Sequence, residues 1–450
     1  MHLSAAVLLA GLSATPQLLV FGGGYGPDSN QASIEADVLR LEQVLAPAHP
    51  TVLFAGGSSS IRSVQTATGS DEVTRRLGLL YGHTAGLAVD YRRPRLAPDG
   101  AARRQTVIEA LVKLRGRPGG GIAFGVGHGG PPTAGSAATW ALWDAELTPA
   151  ELVERLERAP AKGPLALVLG QCHSGAFASV MYEGANREAA LARPARCALA
   201  AVPRDLEAAG CSPDADDPDA LAFIAAIARA LSGAGDLDES GLVDLDEAFA
   251  YAQIHDRTID VPVRSSDVWL ETHAPEIDLE GTSRAELFAM ASPLDRTVLA
   301  ALVPEGEPKA VMARLDTLIA AAEDSTREID ALQVALDDAR ALAFAAALET
   351  FPELSNPLHP RSRALLSGAA PELMSWWEKH PEPLARLEAA SAQVTAALDH
   401  RWGLERALAR LDRWSRRAWS VVATRALAPN QRRDFERLRA CERMSPGLKP

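Results

Sequence analysis

Aromatic residues make up only 5% of the 450-residue sequence, and cysteine occurs just four times, at Cys172, Cys197, Cys211 and Cys441. No two of these form a Cys-x-x-C pair, which argues against a zinc ribbon or a thioredoxin-type site. No apolar run reaches the roughly 20 residues that cross a bilayer, so no transmembrane helix is expected. The segment Leu3 to Leu12 is apolar and is followed by Ser13 and Ala14, the small-residue pattern of a signal-peptidase site, before Pro16 and Gln17 interrupt it. Its first two residues, Met1 and His2, bring no Lys or Arg. Residues 1–16 are therefore read as a signal peptide or an apolar extension, with export (periplasmic or secreted) favoured and a cytoplasmic protein the alternative. The run Gly22-Gly23-Gly24-Tyr25-Gly26 lacks the Gly-Lys-Ser/Thr of a phosphate loop and the spacing of a dinucleotide fingerprint, so it reads as a turn and no organic cofactor is implied. Internal repeats and aromatic-rich basic modules are also missing, and no nucleic-acid partner is expected.

The chain has 47% hydrophobic and 23% charged residues, an ordinary globular composition with material for a buried core. Its net charge of −13 is unevenly spread. Residues 401–450 carry 13 Lys or Arg against 5 Asp or Glu, which leaves an acidic body and a basic helical tail.

From Gln17 to about Thr272, short apolar runs alternate with helical segments. The runs are Leu18–Phe21, Thr51–Phe54, Ile122–Val126, Leu165–Leu169 and Cys197–Val202. This pattern predicts an α/β fold, a mostly parallel sheet flanked by helices. Thr148, Pro149 and Glu151 form a capping box that starts a helix between two of the strands. After about Ser292 the strand-like runs vanish. Residues 291–450 are expected to form an all-α C-terminal domain with a basic tail, and residues 17–290 the catalytic-type domain. Ser325 to Glu328 reads as a further helix start, and Pro357, Pro360, Pro371, Pro381 and Pro383 are expected to cut the region into pieces too short for an extended rod.

Two strand ends carry chemistry: Gly127-His128-Gly129-Gly130 after one run, and Gly170-Gln171-Cys172-His173-Ser174-Gly175 after the next. In an open α/β sheet, functional groups collect at the carboxyl ends of the strands. Adjacent parallel strands would bring His128 beside Cys172, so that an imidazole could take the thiol proton and pass one to a leaving amine. The backbone N–H groups of Gly129 and Cys172 are candidate oxyanion donors, and Gly129, Gly130 and Gly175 are expected to let a substrate backbone approach. His173 is expected to line the wall, with His83 the reserve base.

The His-Gly after one apolar strand and the Cys-His-Ser-Gly after the next, 44 residues apart, resemble clan CD cysteine peptidases: caspases, metacaspases and legumain-like enzymes. The resemblance implies a caspase-like fold and a cysteine endopeptidase acting through Cys172 and His128, on a protein or peptide substrate, and fits an exported bacterial member best. Metacaspases hold an Asp two residues before the nucleophile. Here Gly170 stands in that place, so specificity for basic residues does not carry over. The Asp-rich stretch Asp214, Asp216, Asp217 and Asp219 reads as a solvated turn.

A second motif, Asp236 to Glu247, follows the twelve-residue EF-hand loop. Asp236, Asp238, Ser240, Leu242 (through its carbonyl), Asp244 and Glu247 are the candidate calcium ligands, with Gly241 at the sharp turn. Cys197 and Cys211 close a short loop and are the candidate disulfide of an exported protein. The rival to the peptidase reading is a catalytically silent caspase-like scaffold that binds partners, with the helical domain as a partner-binding surface.

Overall fold

A computed structural model of the chain describes residues 15–448 apart from 58–60, 69–71, 83–87, 134–136, 212–221, 357 and 367–369. Residues 1–14 of the candidate signal-peptide segment, His83, the four aspartates of the Asp-rich stretch and Pro357 thus lie outside the described residues.

Among the described residues there are eleven strands: β1 (Gln17–Gly23), β2 (Thr51–Phe54), β3 (Val64–Thr68), β4 (Ala88–Arg92), β5 (Gly121–Gly127), β6 (Gly129–Gly130), β7 (Thr139–Ala141), β8 (Glu146–Leu147), β9 (Leu165–Leu169), β10 (Arg196–Ala200) and β11 (Val263–Arg264). Six of them form the central sheet in the order β11-β10-β9-β5-β1-β2, with every pairing parallel except β10 with β11. The five apolar runs are its five parallel strands, so the α/β reading holds. Side chains alternate between two faces, as the two-residue period of a strand requires. Val20, Phe124, Val168 and Leu199 pack with the helices Ala32–Leu45, Phe223–Arg229 and Leu245–His255. Phe21, Ala123, Leu167 and Leu169 face the helices Arg104–Arg115 and Pro149–Glu157. On that second face Trp140 lies against Phe21 and Phe177, and only a glycine at 125 leaves room for it, since a Cβ there would come within 1.8 Å of the indole.

The helix after Thr148 begins where its capping box predicts, with the hydroxyl accepting from Glu151 N–H and the Glu151 carboxylate accepting from Thr148. The box at Ser325 does not start a helix. Ser325 is buried inside a 43-residue helix, Pro308–Thr350, because propensity and packing across the neighbouring residues outweigh a local cap signal. The prolines likewise break less than expected. Pro381 and Pro383 occupy the first turn of a 46-residue helix, Pro381–Ala426, where their missing N–H groups cost nothing. This helix runs antiparallel to Pro308–Thr350, with Arg401 bonded to Ala322 and Thr326, and Arg410 to Ala301 and Leu302. The last helix, Pro429–Glu442, returns to the sheet, where Cys441 joins the core of the first face. None of the helices is long and apolar enough to cross a membrane, among the described residues.

Candidate functional site

The sheet order reverses direction at β1. The chain moves from β1 to β2 on one side, and β5 and β9 follow on the other, so the crevice above β1 and β5 is the topological switch point where such sheets bind ligands. His128 follows β5 directly and Cys172 follows β9 after two residues.

The register places the two at neighbouring strand ends. Ile122 pairs with Ala166 and Gly125 with Leu169, an offset of 44 that is also the spacing of His128 and Cys172. Phe124 and Val168, paired across the two strands, both face the first core, and the chain leaves each strand a few residues later at His128 and Cys172. The backbones stay close beyond the last pairing, since a Cβ on Gly129 would lie 1.9 Å from the Cys172 carbonyl oxygen.

His128 Nε2 lies 2.8 Å from the Ser29 carbonyl oxygen and 2.8 Å from Gln31 Oε1. A carbonyl can only accept, so Nε2 carries the proton and Nδ1 is the basic nitrogen of the neutral ring. The loop after β1 thereby orients the imidazole. Gly24 makes this possible, because a Cβ at that position would sit 2.0 Å from the same Ser29 oxygen.

The Cys172 thiol is half-buried and lies against residue 208. Its Sγ accepts from Ala208 N–H at 3.3 Å and faces the Ala208 carbonyl at 3.7 Å. Burial pushes the thiol up. The Ala208 N–H opposes the shift, while the charges of Glu207 and Asp260 add to it. His173 has a left-handed backbone (φ +58°). Its N–H donates to Leu206 and its Nδ1 to the Arg204 carbonyl, so it faces the wall as expected.

Gly129, Gly130 and Gly175 each stand against the protein's own chain. A Cβ on Gly175 would meet the backbone of Val202 and Arg204 at under 3 Å, and one on Gly130 would meet Thr139 Oγ1 at 2.5 Å. They allow close approach of the protein's own chain, which fastens the Cys172 turn to the segment after β10.

Asp260 was not legible as a site residue. Its buried carboxylate accepts from Ala209 N–H at 2.7 Å and Phe223 N–H at 3.2 Å, holding the backbone on both sides of residues 212–221. Burial and the neighbouring Asp256 charge hold its proton well above the usual carboxylate range. The helical region reaches this loop through Arg413, whose guanidinium donates to the carbonyls of Gln253, Asp256, Thr258 and Asp260.

The cysteine pairing expected from the sequence is overturned. Cys197 is bonded to Cys441, and Cys211 is a free thiol. Cys197 is the second residue of β10, near the start of the strand, while Cys211 lies past the carboxyl end of the sheet with its Sγ 3.7 Å from the Gly127 carbonyl. Fourteen residues of sequence thus separate two ends of the sheet. Burial, with the Cys172 charge adding, pushes the Cys211 thiol up to about 12.

In the acidic loop, carboxylate oxygens of Asp236, Asp238 and Glu247 lie within 4.8 Å of one another, close enough to share one cation. Gly241 has φ +77°, as the turn demands. Asp236 accepts from Ser240 and Gly241 N–H, Asp238 from Ser240 N–H, and Glu247 from Leu237, Asp238 and Asp244 N–H. The other two expected side-chain ligands turn elsewhere. The Asp244 carboxylate caps the following helix at Glu247 N–H, and the Ser240 hydroxyl donates to the Leu242 carbonyl. Burial pushes Asp244 up to about 6.

No protein-family model matches the chain, and no curated protein does. Among solved structures it is similar to protein GSU0716 from Geobacter sulfurreducens at 16% identity, with a TM-score of 0.32, over 55% of this chain and 92% of that one.

Proposed function

We propose that the chain is a cysteine endopeptidase of the caspase-like type, with Cys172 as nucleophile and His128 as base. The observation that supports this reading is that His128 and Cys172 follow two adjacent parallel strands at the switch point, with a spacing equal to the offset of 44 between those strands. In the reaction, His128 Nδ1 takes the thiol proton as Sγ attacks the peptide carbonyl. The oxyanion falls to the N–H groups of Gly129 and Cys172. The C–N bond breaks as the imidazolium delivers the proton to the amine, leaving a thioester on Cys172. Water, deprotonated by the same nitrogen, then releases the acid and restores the thiol. The Ser29 carbonyl and Gln31 hold the ring in place, the orienting part played by the carboxylate in a serine-protease triad.

Calcium belongs to the proposal at Asp236, Asp238 and Glu247, whose cluster supports it. The ion would tie the start of the loop to the Leu245–His255 helix. Export is supported by the Cys197–Cys441 disulfide, since such bonds persist in oxidising compartments. The helical region is the candidate surface for a protein partner. One observation favours the rival scaffold reading: the Cys172 thiol is held up by burial and nearby acid charges.

The test is hydrolysis of a mixed fluorogenic peptide library, with calcium, by the full chain and its Cys172→Ala variant. Cleavage that disappears in the variant establishes the peptidase and reports its residue preference. Silence from both, with calcium present and after limited proteolysis, moves the scaffold ahead. A thermal melt with and without chelator decides the ion, and an unchanged midpoint counts against it.

A further inference from the structure

A cavity of about 540 Å³ lies where the acidic loop, the turn at Met290–Asp295 and the two last helices meet, within the range of small-ligand sites. Its wall holds Arg417, which is only 2% exposed. One carboxylate, Asp295, lies 2.7 Å from its Nε, but the pair is misaligned as a hydrogen bond, and neither Nη1 nor Nη2 has a partner among the described residues. A buried guanidinium with unbonded N–H groups is costly, and structures retain such a group where something else completes it.

Of the other arginines around the cavity, Arg264 and Arg439 are paired with Asp246, Asp267 and Glu442, but Arg425, Arg432 and Arg443 are short of anions. Arg425 gives its N–H groups to the Met290 carbonyl, and Arg432 to the Arg425 carbonyl. Arg443 reaches Asp246 only at 3.6 Å, and Asp246 is already divided between Arg264 and Arg439. The carboxylates that line the cavity are mostly committed elsewhere. Asp295 and Asp244 cap helices, and Asp238 and Glu247 accept backbone N–H groups in the acidic loop. Glu436 is the lining carboxylate left over.

We propose that this cavity binds a phosphate-class oxyanion, a small phosphorylated molecule or a polyphosphate, with the Nη groups of Arg417 as its buried donors and Arg425, Arg432 and Arg443 around it. Arginine forks match phosphate oxygens in pairs, and a doubly charged oxyanion would satisfy the donors that Asp295 leaves open. Because the cavity walls come from both the sheet-bearing part and the last two helices, the ligand would fasten one to the other. The proposal is independent of the peptidase reading.

The test is a thermal melt of the full chain, freed of divalent ions beforehand, in inorganic phosphate, pyrophosphate and glycerol phosphate. Chloride and sulfate at matched ionic strength are the controls, since phosphate also stabilises proteins by exclusion from their surface. The expected result is a saturable rise of several degrees with at least one phosphate compound and not with chloride. The rise should vanish in Arg417→Met/Asp295→Asn, which removes the guanidinium together with its partner so that no charge is stranded. Arg417→Lys, which keeps the charge and loses the fork, should weaken binding about tenfold and serves if the double variant fails to fold. Tighter binding of pyrophosphate identifies a polyphosphate, and tighter binding of glycerol phosphate a phosphorylated small molecule. Equal midpoints in the phosphate compounds and in chloride, or a rise that persists undiminished in both variants, would overturn the proposal.

Discussion

Near the start of β10, Cys197 is joined to Cys441, and behind it Asp246, Arg264, Arg439 and Glu442 form a buried cluster in which each charge has an opposite partner. At the carboxyl ends of β5 and β9 the same kinds of group are left differently. Cys172 and Cys211 are free thiols, and His128 is held by a carbonyl and an amide instead of a counter-charge. The first region spends its polar groups on one another, and the second leaves a sulfur and a ring nitrogen available. On the proposed function, substitutions in the two regions should separate in what they change, stability in the first and thiol chemistry in the second.

The largest effect should come from the locked end. Asp246→Asn would leave Arg264 and Arg439 without their shared carboxylate, and denaturant unfolding should show a loss of about 3–5 kcal/mol with the thiol chemistry intact. The arginines beside Asp246 hold its carboxyl below the usual range. A depressed carboxylate contributes stability above its unfolded pKa and loses it as pH falls through the folded one, so the gap between wild type and variant should close on acidification. Next comes Arg413→Met, which removes the donor to four carbonyls around Asp260. A loss of about 3 kcal/mol is expected, and because Asp260 holds the backbone beside the Cys172 loop, this variant should also slow peptide cleavage. If cleavage were untouched, the helical region would be shown to act on stability alone.

At the open end, Gly24→Ala should cost stability as well as activity, because the new methyl meets the Ser29 backbone at 2.0 Å. The new methyl displaces the Ser29 carbonyl from His128, and kcat should fall about tenfold or more with KM nearly unchanged, measured on whichever peptide the library yields. The smallest effect is expected from Glu207→Gln. Removing that charge should lower the pH at which Cys172 alkylation reaches half its maximal rate, a modest shift because burial is the larger cause.

The sequence carried the sheet well, because five apolar runs of strand length leave few other folds open. It also offered His128 and Cys172 at the ends of two strands that prove to be neighbours, with a spacing equal to the register between them. What it hid was long-range. Nothing near Cys197 distinguishes Cys441, 244 residues away, from Cys211, fourteen away. Ser29, Gln31, Asp260 and Arg413 belong to no motif, and their roles depend on which backbone atoms the fold lays beside them. The glycines depend on the fold in the same way, since the close approach they permit is made by the chain itself. Ser325 shows the reverse error, a local signal overruled by the packing of a long helix.

The most direct test of the paired His128 and Cys172 is native alkylation with iodoacetamide at pH 7, mapped residue by residue by mass spectrometry in wild type and His128→Ala. The account predicts that Cys172 is labelled while Cys211, with its thiol pushed up to about 12, stays unlabelled, and that Cys172 labelling slows about tenfold without the imidazole. Equal rates at Cys172 in the two proteins would contradict the pairing.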